Sequence, residues 1–527
     1  MRALLAAGTA LLGAWLLVAA CGGTDTADPV GTTDAAIEHA PGVDGAGGDV
    51  DPGASVLQHH KHPSRDGLYV EPALTKAAVA HLHVDPQFQV PVEGPVYAQP
   101  LFVDGALNGH DVLIVATEQN LVYAIDAASG GTLWRTPVLA PPVARASLPC
   151  GNIDPLGITG TPYVDLGSRT IFFDAMSTPD QGRTKRHLIF ALSLDDGLVR
   201  AGWPVDVVAM LGNAQPTGFD ATVQNQRGAI VVLNGVLYVP YGGHDGDCGN
   251  YHGWVVGVDV ANPNKVTGWT TPARGGGIWS TAGIATDGTS LYVATGNTFG
   301  ASTWGGGDAI VRLGAGPIFS NATTDYFAPA DWPTLDDRDL DLGAQILADV
   351  PGATPQALVL GLGKDGNVNV VSRADLGGVG HPLTTLLAAD GEINAAPTTF
   401  ATPAGSFVSF RVQGGGGVGC PNGTSGNLVT LKIGATAPPS LTKAWCSKET
   451  DLSSPMSSAS SAAGADAIVW SIGSNRLYAY DGESGAEIFA GGGAGDQMSE
   501  VQYFQTPIAA KGRVYVAAKA QVYAFTP

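Results

Sequence analysis

Charge is scarce in this chain, and positive charge is scarcer still. Of 527 residues only 14% are charged, and 26 Lys and Arg face 47 Asp and Glu, a formal net charge of −21. So few basic residues exclude the electrostatic footprint of a nucleic-acid binder, so no nucleic-acid partner is expected. So little charge overall excludes general disorder, and it excludes a coiled coil. Beyond residue 20 no apolar run approaches the roughly 18 residues of a membrane span. Cysteine is limited to five residues, no two spaced Cys-x-x-Cys, so neither a zinc ribbon nor a covalently attached haem is expected. GLGKDG (361–366) formally matches Gly-x-Gly-x-x-Gly, but the strand-like NVNVV follows where a dinucleotide fold needs a helix. A nicotinamide cofactor is therefore not expected. What abounds is glycine, 73 residues, within a chain that is 44% hydrophobic. That composition fits short strands and tight turns.

Residues 1–20 read as a secretion signal: Arg2 supplies the positive start and Leu4 to Val18 the apolar core. The signal ends Val18-Ala19-Ala20-Cys21, which resembles the bacterial lipobox, in which the cysteine is acylated and becomes the new N-terminus. The expectation is an exported envelope lipoprotein, periplasm-facing or on the outer-membrane surface, anchored through Cys21 rather than spanning. The other cysteines, Cys150, Cys248, Cys420 and Cys446, are even in number, which in an exported chain implies two disulfides with three connectivities. Closeness in sequence favours Cys420–Cys446, leaving Cys150–Cys248. Residues 21–83 read as a flexible Gly/Asp/Pro-rich tether, most clearly from Gly22 to Ser55. His59, His60 and His62, with His81 and His83, then read as solvated tether residues rather than as a metal site.

From residue 84 to 527 a repeat takes over. Its clearest copy is DVLIVATEQNLVYAIDAASGGTLW (111–134): a strand of alternating β-formers, a turn, a second strand, a tight Asp-Ala-Ala-Ser-Gly-Gly turn and a third strand carrying Trp134. RLYAYDGESGAEIF (476–489) and RVYVAAKAQVYAF (513–525) repeat the phrase, and weaker copies lie at 187–203, 252–269 and 361–378. Small-residue strands precede the copies, such as ITGTPYV, NAAPTTF and FQTPIAA. Small residues suit strands crowded around a central axis. Length alone would allow three to four domains of about 150 residues. The repeat instead implies one all-β fold, an eight-bladed β-propeller of four-stranded antiparallel blades. The last unit stops after three strands, so the lone strand Phe88 to Val92 is expected to complete it and close the ring.

The phrase VYAIDAASGGTLW resembles the repeat of the quinoprotein (PQQ-dependent) alcohol dehydrogenases and their non-enzymatic relatives, which include an envelope lipoprotein that helps assemble outer-membrane proteins. The resemblance covers about residues 85 to 527. It implies a quinone lying on an indole floor, a metal held by a Glu, an Asn and the quinone, an Asp as general base and a basic residue at the quinone carbonyls. Within GGGIWSTAG, Trp279 matches the floor. Asn297, ending LYVATGN, matches the metal-binding Asn. DRDLDLG places Asp339 at the base and Asp341 at the extra carboxylate of lanthanide-using members. Lys364 in GKDG matches the basic position, and Asn394 in GEINAAP a quinone-contacting Asn. Two departures stand out. The paired cysteines reduce to Cys150 alone, and GGHDGDCGNYHGW (242–254) holds no Glu, leaving Asp245 or Asp247 as the substitute metal ligand.

The absent Glu favours an exported, lipid-anchored propeller acting as a binding or assembly scaffold in the cell envelope, with an envelope protein as partner. The alternative is a PQQ- and calcium- or lanthanide-dependent dehydrogenase of a small alcohol or sugar; a hydrolase or lyase in the same funnel ranks third. Convergence of the 244–250 and 336–341 carboxylates with Asn297 on one cavity would separate the first two. The lipobox carries its own test. Cys21→Ser should move the protein from the membrane fraction to the soluble one, and unchanged fractionation would reject acylation.

Overall fold

The computed structural model describes residues 53–527 apart from 215–216, 422–423, 449–452, 492 and 494. The signal sequence, Cys21 and the first part of the expected tether lie outside the described residues. Eight sheets of four or five strands succeed one another along the chain, each built mainly from antiparallel hairpins: an eight-bladed β-propeller. The innermost strands are Leu101–Leu107, Tyr163–Asp165, Val231–Leu233, Ala285–Thr286, Ala344–Asp349, Thr398–Thr402, Met456–Ala459 and Ile508–Ala510. We number the blades 1 to 8 in that order. The small-residue segments of the sequence supply most of these inner strands, as crowding at an axis demands.

The ring closes as the unfinished last repeat predicts. His83–Pro91 pairs antiparallel with Gln521–Thr526 and supplies the fourth strand of blade 8, with a register shift between Val84 and Gln89. At two seams an indole docks one unit on a turn of the next. Trp134 Nε1 donates to the Leu194 carbonyl at 3.0 Å, and Trp445 Nε1 to the Gly482 carbonyl at 2.8 Å. Gly197 and Gly485, both in the left-handed region, lie beneath these indoles, where a Cβ would sit 2.7 and 2.6 Å from the ring.

The second half of the expected tether is not tether. Residues 56–70 run through the middle of the ring and bond to all eight blades. Val56 and Phe102 exchange both backbone hydrogen bonds on blade 1. The carbonyls of Leu57, Pro63, Ser64, Asp66 and Gly67 accept from the N–H groups of Val164, Thr286, Leu347, Thr399 and Ser457, on blades 2, 4, 5, 6 and 7. Leu68–Val70 then runs parallel to the inner strand of blade 7. His59 Nε2 meets Thr506 Oγ1, just ahead of the blade 8 inner strand, at 3.2 Å. Arg65, fully buried, donates to the carbonyls of Ile230 at blade 3 and Ile284 at blade 4, and also to Gln58 Oε1 and the His59 carbonyl. His59 and His60 are buried and stacked 4.3 Å apart, and burial lowers the pKa of both. The sequence misleads here because this segment is packed by hydrogen bonds rather than by large apolar side chains.

Arg65 has no carboxylate partner among its hydrogen bonds, and burial lowers its pKa to about 9. Arg65→Met should strand several buried acceptors and cost on the order of 3 kcal/mol. A denaturant midpoint equal to that of the unaltered protein would show that the segment does not bind the ring together.

Candidate functional site

A cavity of about 680 Å³ opens where residues ahead of the inner strands meet the hairpin turns of several blades. It is lined by Asp247, Trp279, Asp339, Asp341, Lys364 and Asn394, six residues singled out from the sequence, drawn from five stretches of chain. Asn297 is not on the cavity wall. It lies buried behind Asp341, whose Oδ1 accepts the Asn297 backbone N–H at 2.6 Å, and its side-chain Nδ2 has no partner.

Each position has a local cause. Trp279 precedes the inner strand of blade 4, and its indole lies against Gly343 and Gly296. A Cβ at Gly343 would stand 2.9 Å from the ring, and one at Gly296 3.1 Å from Nε1. Asp339 ends the short helix Trp332–Arg338 as a left-handed cap with φ 54°, leaving its side chain 60% exposed. Two residues on, Asp341 is 4% exposed. Lys364 stands in the turn between Ala357–Leu362 and Asn367–Ser372, a strand hairpin that rules out the dinucleotide loop. Its backbone N–H donates to the Asp341 carbonyl at 2.8 Å. Its ammonium bonds Asp341 Oδ2 at 2.5 Å and Asp339 Oδ1 at 3.3 Å, and lies 5.6 Å from the Trp279 ring centroid. Burial opposes the Lys364 charge, but Asp341, then Asp339 and Glu392, hold its pKa above the usual lysine value.

The 242–254 loop is held inward by several constraints. Cys248 is bonded to Cys150 with 6.0 Å between Cα atoms. The Tyr251 ring lies where side chains on Gly243 or Gly277 would be. Arg274 Nη2 donates to the Asp247 carbonyl at 2.8 Å. Asp247 Oδ1 accepts the Tyr251 hydroxyl at 2.6 Å. Burial raises the Asp247 pKa, the tyrosine bond opposes this, and the like charges of Asp341 and Asp339 add to the rise. Across the cavity, Asn394 Nδ2 donates to Gln413 Oε1 at 2.6 Å, while its buried Oδ1 has no partner.

Sequence reasoning missed Asp308, Tyr251, Arg227 and Glu392. Asp308 is fully buried and reaches the same acidic nest. Burial, then the charge of Asp341 and the hydrogen-bonded Asp336, push its pKa up to about 10, so it is a neutral acid at neutral pH. Nothing in GGGDAIV marks it. Asp336 serves to fix the loop, accepting the N–H and hydroxyl of Thr298 at 2.5 and 2.6 Å. Arg227 lies over Phe504 with 5.6 Å to the ring centroid and makes no ion pair among the described residues. Among the described residues no three His, Cys, Asp or Glu side chains already form a metal-holding group, the expected tether histidines included.

No family model matches the chain, and no curated protein sequence matches it. Solved structures do. The chain is similar to the quinohemoprotein alcohol dehydrogenase from Comamonas testosteroni, at 15% identity over 92% of this chain and 82% of that one, TM-score 0.62. It is also similar to quinohemoprotein alcohol dehydrogenase ADHIIG from Pseudomonas putida HK5 (14%, 90% and 80%, TM-score 0.61) and to a europium-containing methanol dehydrogenase (12%, 90% and 98%, TM-score 0.59). At these identities the likeness establishes the fold.

Both expected disulfides are present in the structure, Cys150–Cys248 and Cys420–Cys446. Non-reducing peptide mapping should find these two linkages and no free thiol in the folded domain. Each loop closed should contribute about 3–5 kcal/mol by chain entropy, less any native strain. A different pairing would refute the arrangement around Asp247.

Proposed function

We propose that this chain is a quinone-dependent dehydrogenase that oxidises a small alcohol or sugar. The observation that carries this reading is the meeting of Asp247, Trp279, Asp339, Asp341, Lys364 and Asn394 on one cavity, with Asn297 directly behind Asp341. A scaffold binding through blade surfaces needs no such convergence. On the scaffold's side stand the missing Glu, Asn297 lying off the cavity wall, and the lack of a ready-made metal-holding group among the described residues.

The residues present suit a planar polar cofactor. The glycine-backed indole of Trp279 offers a flat floor, the unpartnered Asn394 Oδ1 awaits a donor, and Lys364 stands over the floor. They suit a hard cation as well. Asp245, Asp247, Asp339, Asp341 and Glu392 line the cavity against only Arg227 and Lys364. An excess of carboxylate oxygens is the donor chemistry of calcium and the lanthanides. Asp341 and Asp247 would hold that ion from the cavity wall, with Asn297 behind Asp341 fixing its carboxylate, and with PQQ as the quinone.

When bound, the quinone supplies a two-electron acceptor. The chain's own part is positioning and proton transfer. Asp339 faces the cavity from the end of its helix, where a carboxylate oxygen can accept the hydroxyl proton of an alcohol as its C–H bond breaks. Lys364, with its ammonium 3.3 Å from Asp339 Oδ1, holds that carboxylate in place. Acylation at Cys21 would carry this funnel on the envelope membrane.

Adding PQQ with calcium or lanthanum to the purified protein should produce stoichiometric bound-quinone absorbance that a chelator abolishes. Asp341→Ala should weaken metal retention. Asp339→Asn should keep the quinone bound while turnover falls by about 10²–10⁴, because an amide cannot take the proton. No quinone bound at micromolar concentration would return the chain to the scaffold reading.

A further inference from the structure

Both oxygens of Asp341 are already engaged. Oδ1 accepts the Asn297 backbone N–H at 2.6 Å, and Oδ2 holds the Lys364 ammonium at 2.5 Å. The pair is nearly dry, with side-chain exposures of 6% for Asp341 and 15% for Lys364. Lys364 is not a loose surface lysine that has drifted onto an acid. Its own backbone N–H is tied to the Asp341 carbonyl, so turn and carboxylate are fixed to one another.

We infer that Lys364 is a tethered counter-cation of this site, which a divalent or trivalent metal must displace from Asp341 Oδ2 before it can bind. The inference rests on the metal half of the proposed function and says how that half is regulated. Without metal, Asp339, Asp341 and Glu392 surround one ammonium, which partly neutralises an acidic wall that would otherwise repel itself. A metal arriving at Asp341 brings like charge against that ammonium and drives it off. The released ammonium stays over Trp279, the floor on which a quinone would lie. Metal and quinone binding are then linked, each favouring the other through the position of one side chain.

The test is calorimetric titration of the purified full chain with lanthanum(III) or calcium(II) alone, without quinone. Lys364→Met should bind the metal more tightly than the unaltered protein, by about tenfold or more, because a near-contact cation has been removed. Adding Asp341→Asn to Lys364→Met should abolish the gain. Equal or weaker affinity in Lys364→Met overturns the inference and leaves the quinone reading standing. So does a gain that survives Asp341→Asn. If neither protein takes up metal the inference also falls, and the absorbance titration with PQQ judges the quinone reading separately.

Discussion

Everything in this molecule is organised around the unpaired inner edge of eight short strands. A blade's innermost strand has a partner on one side only, and the N–H and C=O groups on its other side face the axis of the ring. Buried and unpaired, each such group would cost free energy comparable to a lost hydrogen bond. Residues 56–70 meet that need with backbone carbonyls, one histidine and one guanidinium, and they touch all eight blades in doing so. The segment is continuous with His83–Pro91, which completes blade 8. One stretch, residues 56–91, thus seals the ring twice, at its centre and at its seam.

This explains where the sequence was readable. Blade strands alternate and end in glycine turns, and Trp134 and Trp445 dock on Gly197 and Gly485 in the next unit by the same geometry. A pattern imposed by packing leaves a period that can be read. The axial segment leaves none, since it occurs once and each residue meets a different blade. HHKHPSRDG has the composition of a solvated linker, yet Arg65 and both adjacent histidines, His59 and His60, are buried. Its order comes from satisfied polar groups, and composition does not report those.

The site shows a similar division. Trp279, Lys364, Asp339 and Asp341 were legible because a family resemblance fixes their spacing within short motifs. The partners that set their behaviour were not. Asp308 contributes a neutral acid to the nest from another strand, and Tyr251 claims one oxygen of Asp247. These contacts cross between strands and loops far apart in sequence, so no local motif records them.

Where the resemblance implies a metal-binding Glu, this chain offers Asp247 from the 242–254 loop. Asp has one methylene less than Glu, so an equivalent reach requires the backbone itself to come closer. Here the 242–254 loop is drawn toward the cavity by the Cys150–Cys248 bridge, by Arg274 on the Asp247 carbonyl and by Tyr251 seated on glycine. Asp247 takes a left-handed backbone, φ 51°, within that loop, a strain the bridge and the arginine together hold in place. Cys150, a lone cysteine where the resemblance implies a pair, has a structural use of its own. It bonds across to the loop instead of to a neighbour, and the shorter carboxylate lines the cavity. The two departures from the resemblance thus meet in one structural unit, the Cys150–Cys248 bridge and the loop that carries Asp247 to the cavity.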